Sequence, residues 1–131
     1  MTTNRLRIAF IGFGELGSRF ACDLARRGDV DLIAYDILAG SPAGARVEAR
    51  AQEIGVRLAK TNRDACEGAA VVVSAVTADR AEAVARETAP GLRAGQILLD
   101  VNSASPATKR RASVMVASSG ADYVEGAVMG P

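Results

Sequence analysis

Short apolar runs bounded by turn-forming residues recur along the chain, and Ala-rich stretches with helical spacing follow them. The runs are Arg7–Ile11, Asp31–Tyr35, a weak Val56–Leu58, Val71–Ala75, Ile97–Val101 and Tyr123–Val128. Such alternation is the pattern of βαβ units and a parallel sheet. Unbroken rather than alternating hydrophobicity in VVVSAV and ILLDV predicts strands covered on both faces. With 131 residues, one domain is expected over the whole chain.

Punctuation between the runs agrees. Leu16, Phe20 and Leu24 repeat every four residues and predict an amphipathic helix ending near Gly28. Ser105-Pro106 places a capping hydroxyl before a proline suited to a first helical turn. Thr61 or Asn62 can cap the segment leading to Cys66, and Gly40–Gly44 reads as a loop before an Arg/Glu-rich helix at Ala45–Ile54.

Composition excludes several classes of function. A formal net charge of +1 gives no global drive toward nucleic acid or an anionic membrane. The first apolar run is too short to span a bilayer, and a Gly-rich turn stands where a signal peptide would be cleaved, so a cytoplasmic location is expected. Without histidine, imidazole bases, Ser-His-Asp triads and His-ligated metals are all ruled out within the chain. Cys22 and Cys66 lack CxxC spacing and predict small helix residues rather than a zinc site or disulfide. No metal is expected.

The stretch Ile8–Gly17 carries the chemistry. Gly12-Phe13-Gly14-Glu15-Leu16-Gly17 is a GxGxxG sequence between a predicted strand and a predicted helix. Gly12 permits a tight turn, Gly14 lets a pyrophosphate approach the backbone, and Gly17 lets helix and strand pack closely. The helix N-terminus offers free N–H groups and a positive dipole end. Asp36 follows 24 positions after Gly12, at the end of the second run. An acid there accepts hydrogen bonds from an adenosine ribose and repels a 2′-phosphate, which favours NAD over NADP. Arg46 is a residue that could reach such a phosphate, so NADP stays open. Ligands of such sheets lie at the carboxyl ends of the strands, here Val76, Thr77 and Ala78, then Asn102 and Ser103, then Gly126 to Gly130. Asn102 and Ser103 could equally be turn residues leading into the Pro106 helix.

Four blocks, Ile8–Gly28, Ala70–Asp79, Leu98–Arg110 and Asp122–Pro131, together resemble the β-hydroxyacid dehydrogenases, which include 3-hydroxyisobutyrate dehydrogenase, and their relative 6-phosphogluconate dehydrogenase. The resemblance implies a Rossmann doubly wound α/β fold, a mainly parallel sheet of about six strands flanked by helices. It implies NAD, with NADP possible, and hydride transfer to or from a small 3-hydroxyacid-type substrate. The segment matching Asp100–Pro106 lies in the family beside nicotinamide and substrate, so Asn102, Ser103 and Gly130 are expected to position substrate, with Asn102 also touching cofactor. The last block departs from the family: Met129 stands where a substrate-binding serine is usual, and Pro131 replaces a glycine.

In that family an all-helical second domain supplies a catalytic lysine, a nearby asparagine and most of a dimer interface. Nothing in this chain matches that domain, so no catalytic residue is expected within it, and the full-length protein is expected to be a homodimer. Lys60 and Lys109 are expected to be solvated surface charges. Other readings are a non-catalytic NAD(H)-sensing module and the first domain of a pyrroline-carboxylate reductase or prephenate dehydrogenase. A methyltransferase also places glycines after its first strand, but the full GxGxxG with Asp36 suits a dinucleotide better.

Overall fold

The computed structural model describes residues 5–128. Six strands, β1 (Leu6–Ile11), β2 (Val30–Tyr35), β3 (Arg57–Leu58), β4 (Val71–Ser74), β5 (Ile97–Asp100) and β6 (Asp122–Glu125), form one sheet. Its order is β3-β2-β1-β4-β5-β6, and every pairing is parallel. The chain thus starts in the middle of the sheet, builds outward to one edge, and returns to build the other half. This is the doubly wound Rossmann arrangement, and it places a crevice at the carboxyl ends of β1 and β4, where the winding reverses.

Five α-helices flank the sheet: α1 (Glu15–Ala25), α2 (Ala45–Ile54), α3 (Asn62–Cys66), α4 (Ala81–Thr88) and α5 (Pro106–Ala117). Alternate residues of each strand point to opposite faces, and two cores result. Ile8, Phe10, Leu32, Ala34 and Val73 pack with Ala21 of α1 and Val47 and Ala51 of α2. Ala9, Ile11, Ile33, Val72 and Leu98 pack with Cys66 of α3, Val84 of α4 and Val116 of α5.

The expected caps form. Asp64 N donates to Thr61 Oγ1 at 3.0 Å and Thr108 N to Ser105 Oγ at 3.2 Å. Three expectations need correction. The buried face of α1 is Gly17, Ser18 and Ala21, with Phe20 and Leu24 of the expected stripe packed beside it, while Leu16 lies exposed at the crevice. In β5 only Leu98 and Asp100 are buried, so it is fully covered on one face alone. The sixth run forms a strand only over Asp122–Glu125 and stays largely exposed, because the edge strand has a neighbour on one side only.

Cys66 is buried and Cys22 half-buried, as expected for small helix residues. Burial pushes the Cys66 thiol up to about 12. A disulfide-exchange reagent at pH 8 is therefore expected to label one thiol per folded chain, Cys22, and the second only on denaturation. Rapid modification of two thiols in the native protein would contradict this packing. Among the described residues no helix is long and apolar enough to cross a membrane.

Candidate functional site

The glycine turn connects β1 to α1 at the centre of the crevice. Gly12 has φ +94°, and its N–H donates to Tyr35 O at 2.9 Å. A β-carbon here would run into the Ala75 carbonyl oxygen and come within 2.8 Å of Val76 Cγ1. At Gly17 it would come within 2.6 Å of Gly12 O. These two glycines let β1, β4 and α1 converge. Gly14 differs, since a β-carbon there would meet nothing within 4 Å. The space before it is open, and the first N–H groups of α1, at Glu15 and Leu16, have no intrahelical partner. Phe13 contributes nothing apolar to this space, because its ring is buried edge-on against Phe10.

Asp36, just after β2, is the second fixed point. Its Oδ2 accepts from Phe13 N at 2.8 Å and its Oδ1 from Leu38 N at 2.9 Å. The carboxylate therefore ties the glycine turn to the segment after β2 instead of standing free. Each oxygen retains a lone pair for one further donor. The Phe13 N–H, in contrast, is spent on Asp36.

Around these points lies a cleft of about 440 Å³, lined by Gly12, Gly14, Glu15 and Leu16 on one side and Tyr35, Asp36, Ile37 and Leu38 on another. Ala75, Val76, Thr77, Arg80, Val84 and Glu87 form its third wall. The volume is in the range that accommodates a bound small molecule or cofactor. Ile37 and Leu38 are exposed apolar residues at its rim. Arg80 is the one cation among the lining residues; its Nη2 lies 3.9 Å from Glu87 Oε1.

Of the residues expected from sequence, the cleft gathers Gly12, Gly14, Glu15, Leu16, Asp36, Val76 and Thr77. Gly17 is buried behind the turn, and Ala78 and Ser103 are exposed and not among the lining residues. Arg46, in the first turn of α2, is exposed and does not line the cleft. Gly130, with Met129 and Pro131, lies outside the described residues. Sequence reasoning missed Arg80, Val84 and Glu87. Their spacing of four and three is a helical stripe following β4, and that signal was legible once α4 was placed at a strand's carboxyl end.

Asn102 lies in the connection leading into α5, as the turn reading has it, and is not among the residues that line the cleft. It is only 4% exposed and sits behind the third wall. Its Oδ1 accepts from Val76 N at 2.6 Å, and its Nδ2 donates to Ser74 Oγ at 2.9 Å. Its own N–H donates to Asp100 Oδ1 at 2.9 Å. As a side chain it clamps the end of β5 to the end of β4.

Lys109 also departs from expectation. Lys60 is exposed, but Lys109 is 7% exposed, with Nζ 3.9 Å from Asp100 Oδ1 and donating to Gly126 O at 3.4 Å. One turn into α5, its side chain points under the end of the sheet, not into solvent. Tyr123 Oη donates to Asp100 Oδ2 at 2.7 Å. Burial first, and then this bond to a carboxylate, holds the phenol well above its usual range. No group of metal-ligating side chains occurs among the described residues.

Residues 7–104 match the model of a family described as NADP oxidoreductase, coenzyme F420-dependent. No curated protein matches significantly. A conserved hypothetical protein from Sinorhizobium meliloti 1021 is 36% identical over 98% of this chain, with a TM-score of 0.89. An imine reductase from Myxococcus stipitatus, solved with NADP+, is 26% identical over 95% of this chain, with a TM-score of 0.75. The 3-hydroxyisobutyrate dehydrogenase of Mycobacterium tuberculosis, solved with L-serine, shares the fold at a TM-score of 0.84, with 20% identity over 97% of this chain. The chain spans 43%, 41% and 42% of those three proteins, respectively.

Proposed function

The chain belongs to the family described as NADP oxidoreductase, coenzyme F420-dependent, and from that premise we propose that its cleft binds a nicotinamide dinucleotide. The observation that carries the reading is the contrast within one turn: Gly12 and Gly17 are needed by the fold, whereas Gly14 faces open space at a helix N-terminus. A pyrophosphate fits that space, held by the N–H groups of Gly14, Glu15 and Leu16. Asp36 takes the adenosine ribose with its remaining lone pairs. Ile37, Leu38 and Val84 offer apolar contact to the adenine, while Val76, Thr77 and Ala78 flank the nicotinamide.

The Asp36 carboxylate favours NAD. Arg80 is the cation placed to admit the 2′-phosphate of NADP if it leaves Glu87. When bound, the dinucleotide supplies or accepts a hydride at the nicotinamide ring. The substrate proposed is a small 3-hydroxyacid-type molecule next to Ser103 and the segment following β6, in a protein that works as a homodimer. An imine substrate is the second reading, favoured by the Myxococcus stipitatus relative. The proton donor is assigned to no residue of this chain, so binding without turnover is the expected behaviour of these 131 residues.

Calorimetric titration of the chain with NADH and NADPH tests the reading. Saturable one-to-one binding is expected, and no binding of either at millimolar concentration would overturn it. Robust dehydrogenase activity from the chain alone would overturn the assignment of the donor. Asp36→Ala is expected to lower NAD affinity by about tenfold and NADP affinity by less, since removing the charge also removes its repulsion of the 2′-phosphate. It should also cost about 1–2 kcal/mol of stability, because the Phe13 and Leu38 N–H groups lose their acceptor. Equal losses for the two cofactors would mean that Asp36 acts only as the tie between loops.

A further inference from the structure

A buried polar network lies beyond the cleft at the carboxyl ends of β4, β5 and β6. Asp100 and Lys109 are 3% and 7% exposed, and two ions so buried are retained only where their partners are well placed. Asp100 is held on both carboxylate oxygens, with Tyr123 Oη on Oδ2 and both Asn102 N and Lys109 Nζ facing Oδ1. From Asp100 the network runs two ways. Through Asn102 it reaches Val76 N, whose residue lines the cleft. Through Lys109 it reaches Gly126 O, and Gly126 N in turn donates to Asp100 O at 2.8 Å.

We propose that Lys109 is a positioning residue: its ammonium locks the Asp100 carboxylate in the orientation that holds Asn102, and thereby joins the segment after β6 to the Val76 wall of the cleft. That the wall meets the nicotinamide half of a dinucleotide rests on the function proposed above; the mechanical coupling does not. Without the ammonium, Asp100 is a buried carboxylate short of one partner and draws water or rotates. Asn102 then loses its anchor, and Val76 N its acceptor. At the other end Gly126 O loses its donor.

Amide hydrogen exchange on the 131-residue chain reads this directly. In Lys109→Met the amides of Val76 and Asn102 are expected to exchange about tenfold faster relative to those of Ala9 and Phe10 in β1, which report global opening. Lys109→Arg is expected to restore most of the protection. Tyr123→Phe removes one partner of Asp100 without changing charge or volume, so it should fold even if Lys109→Met does not; several-fold faster exchange at Asn102 is expected. A folded Lys109→Met chain whose Val76 exchange follows β1 overturns the proposal. So does a Tyr123→Phe chain with unchanged exchange at Asn102.

Ligand titration supplies a second arm. Lys109→Met should weaken NADPH about tenfold more than 2′-phospho-ADP-ribose, which lacks the nicotinamide. Equal weakening of both would point to a general loss of structure and overturn the coupling to the cleft. If the wild-type chain binds neither molecule, the cofactor reading falls, and the exchange measurements alone decide the role of Lys109.

Discussion

Gly14→Val is expected to abolish dinucleotide binding, by more than about 100-fold or about 2.7 kcal/mol, while the Tm moves by no more than about 2 °C. The backbone at Gly14 has φ −80° and ψ −153°, at the edge of the extended region and without the positive φ that would demand glycine. A β-carbon there meets no atom within 4 Å, so the substitution displaces nothing in the protein. Its methyl groups instead occupy the space before the first turn of α1, where a pyrophosphate would have to reach the free N–H groups. The unfolded-chain entropy that valine removes offsets its poorer fit than glycine at this N-cap position, so the net change in stability is expected to be small. Calorimetric titration beside a thermal melt checks both halves. A Gly14→Val chain with wild-type affinity would show that no phosphate crosses the turn at this point.

The fold was legible because its signals are local. Ala45–Ile54 forms a helix with the bounds expected from the loop before it, and each apolar run overlaps a strand. What could not be read was which face of each element would find a neighbour. Leu16, Phe20 and Leu24 have correct helical spacing and the last two do pack against the core, but α1 brings Gly17 and Ala21 closest to the sheet because only small residues allow the close approach that the glycine turn demands. Likewise Ile97 and Leu99 look as apolar as Val72 and Val73. They lie in the strand next to the edge, where helical cover thins.

The site divides along a similar line. Glycines report backbone geometry, so their roles follow from spacing. Polar side chains report partners brought from elsewhere in the chain, and those are invisible in sequence. Asp36 looks like a free ribose acceptor until Phe13 N, 23 positions away, is found on it. Asn102 reads as a ligand contact or a turn residue, and nothing local announces that Val76 N and Ser74 Oγ bond its amide. Lys109 is the sharpest case. A lysine in a first helical turn is ordinarily solvated, and only the parallel pairing of β5 with β6, which brings Gly126 beside Asp100, gives its ammonium buried acceptors.

Gly12→Ala tests the opposite end of the same turn, and there the loss should fall on the fold. Alanine at φ +94° carries about 1–3 kcal/mol of backbone strain. Its methyl would also press on the Ala75 carbonyl and on Val76 Cγ1, an overpacking cost of about 1–3 kcal/mol. The neighbours cannot yield cheaply: Ile11 is paired with Ser74 across β1 and β4, Ala75 N donates to Ile11 O at 2.9 Å, and Asn102 holds Val76 from behind. The sum of about 2–6 kcal/mol is a large part of the stability of a small domain and should lower the Tm by about 6–30 °C. Urea unfolding should show a reduced midpoint with an unchanged slope, since the same surface is exposed. Together the two variants separate what a single glycine motif combines: Gly14→Val should melt like wild type and not bind, whereas Gly12→Ala should fail first in stability. A Gly12→Ala chain within about 1 kcal/mol of wild type would mean that the turn can relax, and that its positive φ is not what brings β1, β4 and α1 together.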